Sequence, residues 1–127
     1  MACPLGVMLS NNPGATVDDC VKKLSVARDI VDVLGGKWKM EIILALLTVE
    51  KRRFKELQKD LPGISSRILS ASLKDLEDNH IIKREVIDTT APISVEYTLT
   101  DYGKSMKQAM EALVQLGVEH RREVIGK

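Results

Sequence analysis

Apolar residues in the first part of the chain recur at the spacing of an α-helix. After Val17 they return every three or four residues, at Leu24, Ala27, Ile30, Val31 and Leu34. This repeat predicts a helix with one apolar face, which Gly35 and Gly36 end because glycine suits the left-handed backbone that closes helices. Residues 37–49 are apolar almost all round and predict a second helix at the buried centre of the fold.

A short helix and a tight turn are predicted after a charged break at residues 50–53, which can itself hold a short strand. The short helix begins at Phe54, and the run Leu61-Pro62-Gly63 ends it. Proline disfavours helical geometry in the residue before it, and glycine permits the turn.

A strongly amphipathic helix is predicted next, from Arg67 to Asn79, with Ser65 and Ser66 as candidate N-caps. In a helical projection the inward face carries Leu69, Ser72, Leu73 and Leu76. The outward face carries Arg67, Ser70, Ala71, Lys74 and Asp78. One side of this helix is therefore suited to the core and the other to a ligand.

Two β-branched runs, residues 81–87 and 94–99, predict a β-hairpin with a longer loop between its strands. Thr100-Asp101 is the N-cap signal of a long last helix. Its apolar stripe comprises Met106, Ala109, Met110, Leu113 and Leu116. The fold class predicted from these patterns is mainly α with a small β-hairpin.

The short helix, the turn and the amphipathic helix together form a helix-turn-helix candidate, and the hairpin that follows makes it winged. Three helices of an all-α bundle are the alternative, but a hairpin directly after the last of them favours the winged fold. The outward face of the amphipathic helix would then enter a DNA major groove. The residues expected to reach base edges are Ser65, Ser66, Arg67, Ser70 and Ala71.

Length and composition limit the classes of protein that the chain can form. Its 127 residues allow one domain, predicted over residues 17–127, and residues 1–16 lack periodicity and are predicted as an N-terminal arm. The absence of a long apolar run or a signal peptide indicates a cytoplasmic protein with no membrane partner. No spacing of residues indicates catalytic chemistry, a metal site or a cofactor, so we do not expect an enzyme.

Several motifs in a fixed order resemble those of the HxlR-type winged helix-turn-helix regulators. They are Gly35-Gly36-Lys37-Trp38-Lys39, Ile42-Ile43-Leu44, Arg53-Phe54 with Glu56-Leu57, Leu61-Pro62-Gly63-Ile64-Ser65, Arg67, Leu69-Ser70, Leu73-Lys74, Leu76-Glu77, Val95-Glu96-Tyr97, Leu99-Thr100 and Gly103. The match covers most of the folded chain, from Gly35 to Gly103.

This resemblance implies a bacterial or archaeal transcription factor that binds a near-palindromic DNA operator. It also implies a homodimer joined through the first and last helices. It places Arg67, Ser70 and Lys74 on the recognition helix and Thr89 and Thr90 in the wing. An unidentified small molecule or oxidant is a further candidate partner.

The distribution of charge bears on DNA binding. The whole chain has a formal net charge of only +1, yet residues 36–75 contain nine basic residues against five acidic ones. Local rather than total charge governs the attraction of phosphate. The further candidate DNA contacts in this segment are Lys37, Lys39, Arg53 and Lys55. The low net charge also leaves open a winged-helix protein-interaction module that does not bind DNA.

Cysteine usage departs from the family pattern. Many members have a cysteine ten residues before the first glycine of the Gly-Gly-Lys-Trp motif, where this chain has Ser25. Cys20, five residues earlier, is the candidate redox residue that remains. The alternative for Cys20 is a small buried apolar side chain, and two cysteines are too few for a disulfide framework.

Overall fold

The computed structural model describes residues 16–88 and 93–126. The chain divides into two compact units, one ending at Gly36 and the other beginning at Lys37. Because residues 1–15 lie outside the described part, the predicted division into an arm and a single domain stays a prediction.

Helix α1, Val17–Leu34, lies in the first unit and has the predicted extent. Its start is fixed by a reciprocal pair of hydrogen bonds: the Asp19 amide donates to the Thr16 hydroxyl at 3.2 Å, and the Thr16 amide donates to the Asp19 carboxylate at 3.0 Å. This capping box satisfies two backbone donors that a helix start leaves unpaired. After the helix, Gly36 has the predicted left-handed backbone, with φ +99°.

The second unit confirms the predicted order of elements through the hairpin. Its elements are α2 (Lys39–Val49), β1 (Lys51–Arg52), α3 (Phe54–Asp60), α4 (Ser66–Asp78), β2 (Ile82–Asp88), β3 (Ser94–Leu99), α5 (Asp101–Lys104) and α6 (Lys107–Val124). The short strand that the charged break allowed is present as β1.

Aliphatic side chains from almost every element of the second unit form its core. They are Ile42, Ile43, Leu46, Leu57, Leu61, Ile64, Leu69, Leu73, Leu76, Ile81, Ile82, Leu99 and Met106. The expectation that α2 is buried on all sides is wrong, since Leu44 is 54% exposed and Val49 is 45% exposed. Helix α2 packs against β1, α3, α4 and β3, and Leu44 and Val49 lie outside that packing.

The sheet is antiparallel, with the strand order β1-β3-β2. Lys51 lies opposite Thr98 in the first pairing, and Ile82 lies opposite Leu99 in the second. A bulge between Val86 and Asp88 interrupts the register near the tip of the hairpin. Strand β3 is therefore the central strand, hydrogen-bonded on both sides.

The predicted single last helix is wrong at its beginning, where the structure has two helices, α5 and α6. Between them the Ser105 amide donates to the Tyr102 carbonyl and the Met106 amide donates to the Gly103 carbonyl, both at 3.1 Å. Bonds over three residues tighten a helix into a turn. Met106, only 8% exposed, is thereby turned into the core.

Candidate nucleic-acid interface

The turn between α3 and α4 is held from both sides by the core. Leu61 and Ile64 are each 6% exposed, and the Ile64 amide donates to the Leu61 carbonyl at 3.1 Å. Gly63 between them has φ +93°, a conformation that L side chains rarely adopt. The turn therefore fixes the angle at which α4 leaves α3.

The start of α4 is capped and tied to α3 by two serines. The Ser65 hydroxyl accepts from the Ile68 amide at 3.1 Å, which confirms Ser65 as an N-cap. The Ser66 hydroxyl accepts from the side-chain amide of Gln58 in α3 at 2.9 Å. Both hydroxyls lie at the end of α4 that the sequence predicts to meet DNA.

The two faces of α4 differ as its sequence predicts. Leu69 and Leu76 are fully buried and Leu73 is 2% exposed, all against the core. The outward face, which nothing in the described chain covers, carries Arg67, Ser70, Ala71, Lys74 and Asp78. This face offers short side chains that permit close approach and two long cations.

Three further candidate cations lie on neighbouring elements. Arg53 and Lys55 are exposed at the start of α3. Lys37 is also exposed, and its Nζ lies 4.7 Å from the centroid of the Trp38 ring. All three are accessible to a phosphate group.

Two lysine–aspartate pairs involve α4, and they differ in what they connect. Lys74 Nζ lies 3.9 Å from Asp78 of the same helix, with both side chains well exposed. Lys39 Nζ bonds the Asp75 carboxylate and so joins α2 to α4. The Lys39 side chain is only 19% exposed, so this candidate phosphate contact is already engaged within the protein.

Sequence analysis missed an arginine that holds α3 on the sheet. Arg52 in β1 donates from Nε and Nη2 to the two carboxylate oxygens of Asp60, both at 2.9 Å, and from Nη1 to Glu56 at 3.0 Å. A two-pronged arginine–carboxylate bond fixes orientation as well as distance. No local signal could have revealed this pairing, because Asp60 lies at the far end of α3.

Two acidic side chains face each other in the wing. Glu85 lies directly opposite Glu96 in the register of β2 and β3, while Lys83 Nζ pairs with Glu85 at 3.3 Å. The predicted wing contacts Thr89 and Thr90 lie outside the described residues. Arg84, which sequence analysis did not select, is an exposed cation on β2.

Cys20 is half-buried on α1 and takes part in a disulfide bond. Neither interpretation of Cys20 from the sequence, a reactive thiol or a small buried side chain, includes this bond.

Within the described ranges no helix is long and apolar enough to cross a membrane. The same residues contain no group of three or more His, Cys, Asp or Glu side chains arranged around a metal ion. His80 and His120 are both exposed, His80 in the turn after α4 and His120 in α6.

A tight turn between two helices, a second helix with a free outer face and a hairpin directly after it define the winged helix-turn-helix class. Beyond that class, the family model described as "HxlR-like helix-turn-helix" matches residues 33–124. The chain belongs to this family of transcriptional regulators, as its motifs predict.

Individual relatives and structures agree with this assignment. The uncharacterized HTH-type transcriptional regulator YtcD of Bacillus subtilis is 38% identical over 96 residues, which cover 76% of this chain and 75% of the relative. An uncharacterized HTH-type transcriptional regulator of Methanothermobacter thermautotrophicus is 40% identical over 87 residues, covering 68% and 65%. The structure of the redox regulator HypR in its reduced form is similar with a TM-score of 0.69 and 33% identity, covering 80% of this chain and 97% of HypR.

Proposed function

We propose that the protein regulates transcription by binding a specific double-stranded DNA operator in the cytoplasm, with α4 in the major groove. The observation that carries this proposal is the free outer face of α4. A major groove about 12 Å wide admits a helix, and short side chains let the backbone approach the bases. Arg67 reads a base, since an arginine bonds the two acceptors of guanine in a bidentate manner. The short side chains that allow this close contact with the bases are those of Ser65, Ser66, Ser70 and Ala71.

Phosphate contacts hold α4 in register. Lys37, Arg53, Lys55 and Lys74 are exposed around the recognition helix, where they meet the two DNA strands. Contacts of this kind set orientation and give affinity that falls with salt, while base contacts select the sequence. Thr89 and Thr90 remain proposed wing contacts.

The protein binds its operator as a homodimer. Helix α1 exposes Val17, Val21 and Leu24 at helical spacing, and α6 exposes Leu113 and Leu116. Every side chain of these two helices is described and none is buried. Contiguous apolar faces of this kind mark protein interfaces. A two-fold dimer would place two recognition helices about 34 Å apart, on a near-palindromic site.

Selection of binding sites from a pool of random duplexes tests this function. The wild-type protein should enrich one near-palindromic sequence, and Arg67→Ala should weaken binding to it by about 1 to 3 kcal/mol. Arg122→Ala is the matched control, because Arg122 is an exposed arginine on α6 and should leave affinity unchanged. Enrichment of no sequence over random DNA would contradict the proposal.

A protein-interaction module without DNA contact is the second candidate. It is favoured by the net charge of +1 and by the facing pair of Glu85 and Glu96 in the wing. The salt series of the same binding assay separates the two candidates. A protein that binds no duplex even at low salt, where phosphate attraction is strongest, belongs to this second class.

A redox effector acting through Cys20 is favoured by the disulfide bond of Cys20 and by the similarity to the redox regulator HypR. Reduction of the bond, or its formation by an oxidant such as a quinone or peroxide, would then alter operator affinity. The test compares binding with and without dithiothreitol for the wild type and Cys20→Ser. Equal affinities under both conditions would exclude this effector.

A further inference from the structure

We infer that Lys39 serves DNA recognition as a positioning residue, which sets the orientation of α4 through Asp75 and does not itself contact phosphate. This inference rests on the proposed function of α4. Sequence analysis expects Lys39 to bind phosphate. In the structure Lys39 Nζ instead bonds the carboxylate of Asp75, a residue 36 positions away.

Lys39 is held in place by a helix that is anchored in the core. It is the first residue of α2, and Ile42 and Ile43 in the next turn are both fully buried. Its own side chain is 19% exposed, against 77% for Lys74 on the outer face of α4. A lysine that is covered and paired has little of its ammonium group left to meet a phosphate of DNA.

Asp75 lies at a position on α4 where a bond to another helix limits rotation of α4 about its axis. Leu69, Leu73 and Leu76 pack α4 against the core along its length, and such apolar contacts are non-directional. The Ser66 hydroxyl ties only the first turn of α4 to α3. Asp75 lies on the flank of α4 between those leucines and the outer face. A bond from this flank to α2 therefore limits rotation about the helix axis, which would otherwise displace Arg67 from its base.

Electrostatics and positioning predict opposite effects for loss of the Asp75 carboxylate. Asp75 shares a surface depression with Lys74 and Asp78, beside the proposed DNA contact. If Asp75 acts only through its charge, Asp75→Asn removes repulsion of phosphate and strengthens binding to every duplex. If the bond to Lys39 positions α4, Asp75→Asn weakens binding to the operator while binding to random DNA is kept or increased.

The experiment measures affinity for two probes, the duplex selected by the wild type and a random duplex of equal length. Glu77→Gln is the matched control, because it also removes a carboxylate from α4 but lies on the flank opposite Asp75, away from the outward face. We expect Asp75→Asn to lower the ratio of operator to random affinity by roughly three- to tenfold. Glu77→Gln should leave that ratio unchanged.

Variants of Lys39 supply a second readout. Lys39→Met should lower the operator ratio as Asp75→Asn does, with no change in the slope of log affinity against log salt. Loss of a phosphate contact would instead weaken both probes equally and reduce the slope by about 0.9. Lys39→Arg, which keeps a cation within reach of Asp75, should restore the ratio.

Three outcomes would overturn the inference: an unchanged or raised ratio in Asp75→Asn, a reduced salt slope in Lys39→Met, or an equal effect of Glu77→Gln. Amide hydrogen exchange in the free protein checks the fold, and faster exchange in α4 alone is expected for Lys39→Met. Wild-type selection of no sequence is a failure of the proposed function itself. That result is read from the unmutated protein, before any variant is compared.

Discussion

At the scale of single residues, His80 has a backbone conformation that few side chains adopt. Its φ is +60°, and its amide donates to the Glu77 carbonyl while the Ile81 amide donates to the Leu76 carbonyl, both at 3.0 Å. These two bonds form the closing motif of a helix that usually has glycine at the left-handed position. His80 therefore turns the chain from α4 into the wing.

Replacing His80 tests this local strain. A left-handed backbone costs an L residue about 1 to 2 kcal/mol and is least tolerated by β-branched residues. His80 already bears part of that cost, so His80→Val should lower the free energy of unfolding by less than this amount. His80→Gly should cause no loss, since the exposed imidazole makes no core contact. Urea unfolding of both variants provides the measurement, and equal stabilities would show that the turn is unstrained.

Asp19 gives the start of α1 a defined pH dependence. Hydrogen bonds from the Thr16 backbone and side chain hold the pKa of the Asp19 carboxyl below its ordinary value. A lowered pKa in the folded state adds stability above the ordinary pKa, and this is lost as pH falls below about 4. Thr16→Ala should raise the pKa of Asp19 in an NMR titration, whereas Thr16→Ser should keep it low. An unchanged pKa in Thr16→Ala would contradict the capping role.

At the scale of elements, the end of the wing is joined to the end of the recognition helix. The Thr100 hydroxyl donates to the His80 carbonyl at 2.6 Å, and the Thr100 amide donates to the Ile81 carbonyl at 3.0 Å. Gly103 in α5 packs so closely that an added Cβ would lie 2.2 Å from the Ile81 carbonyl oxygen. Helix α5 thus packs directly against the junction between α4, β2 and β3.

Gly103→Ala should destabilise the second unit by about 1 to 3 kcal/mol, because the clash is with backbone that cannot turn aside. Gly117→Ala is the matched control in α6, where an added Cβ meets nothing within 4 Å. It should raise stability by up to about 1 kcal/mol. The unfolding temperatures of the two variants are compared at low protein concentration. An unchanged unfolding temperature in Gly103→Ala would show that the backbone at Ile81 can shift to accept the added Cβ.

Elements that depend on local pattern could be predicted, and those that depend on distant partners could not. The serine cap of α4, the Gly63 turn and the hairpin follow from neighbouring residues. The bond between Lys39 and Asp75 joins different helices, so the sequence near Lys39 does not reveal its partner. Lys39 was therefore predicted to contact phosphate. The break before α6 was missed because Met106 fits the helical stripe equally well, and only core packing decides its turn.

At the scale of the whole molecule, α6 and α2 expose apolar side chains that a second copy of the chain can cover. The face of α6 continues onto α2 through a groove of about 360 Å³ that includes Leu44, Leu47, Met110 and Val114. Such a surface is costly in water unless a second molecule covers it. The proposed dimer accounts for it.

A charge placed on this face should separate the dimer without unfolding the chain. Leu113 and Leu116 are 51% and 61% exposed, so Leu113→Lys with Leu116→Lys removes no core contact. Sedimentation should show a shift from dimer to monomer, and the unfolding temperature should lose its dependence on protein concentration. Gln108→Lys, which adds a charge at an exposed position of α6 outside this apolar stripe, should stay dimeric. A wild-type protein that sediments as a monomer at micromolar concentration would contradict the dimer.

The central position of β3 also has a consequence for the order of folding during synthesis. The pairing of Lys51 with Thr98 encloses α3, α4 and β2 in one loop of chain. Closing a long loop costs entropy that only its final contacts repay, so such contacts form late. While the ribosome is still making β3, the helices proposed to bind DNA therefore lack their closing strand. A nascent chain acquires its DNA-binding form only when nearly all of the domain has emerged.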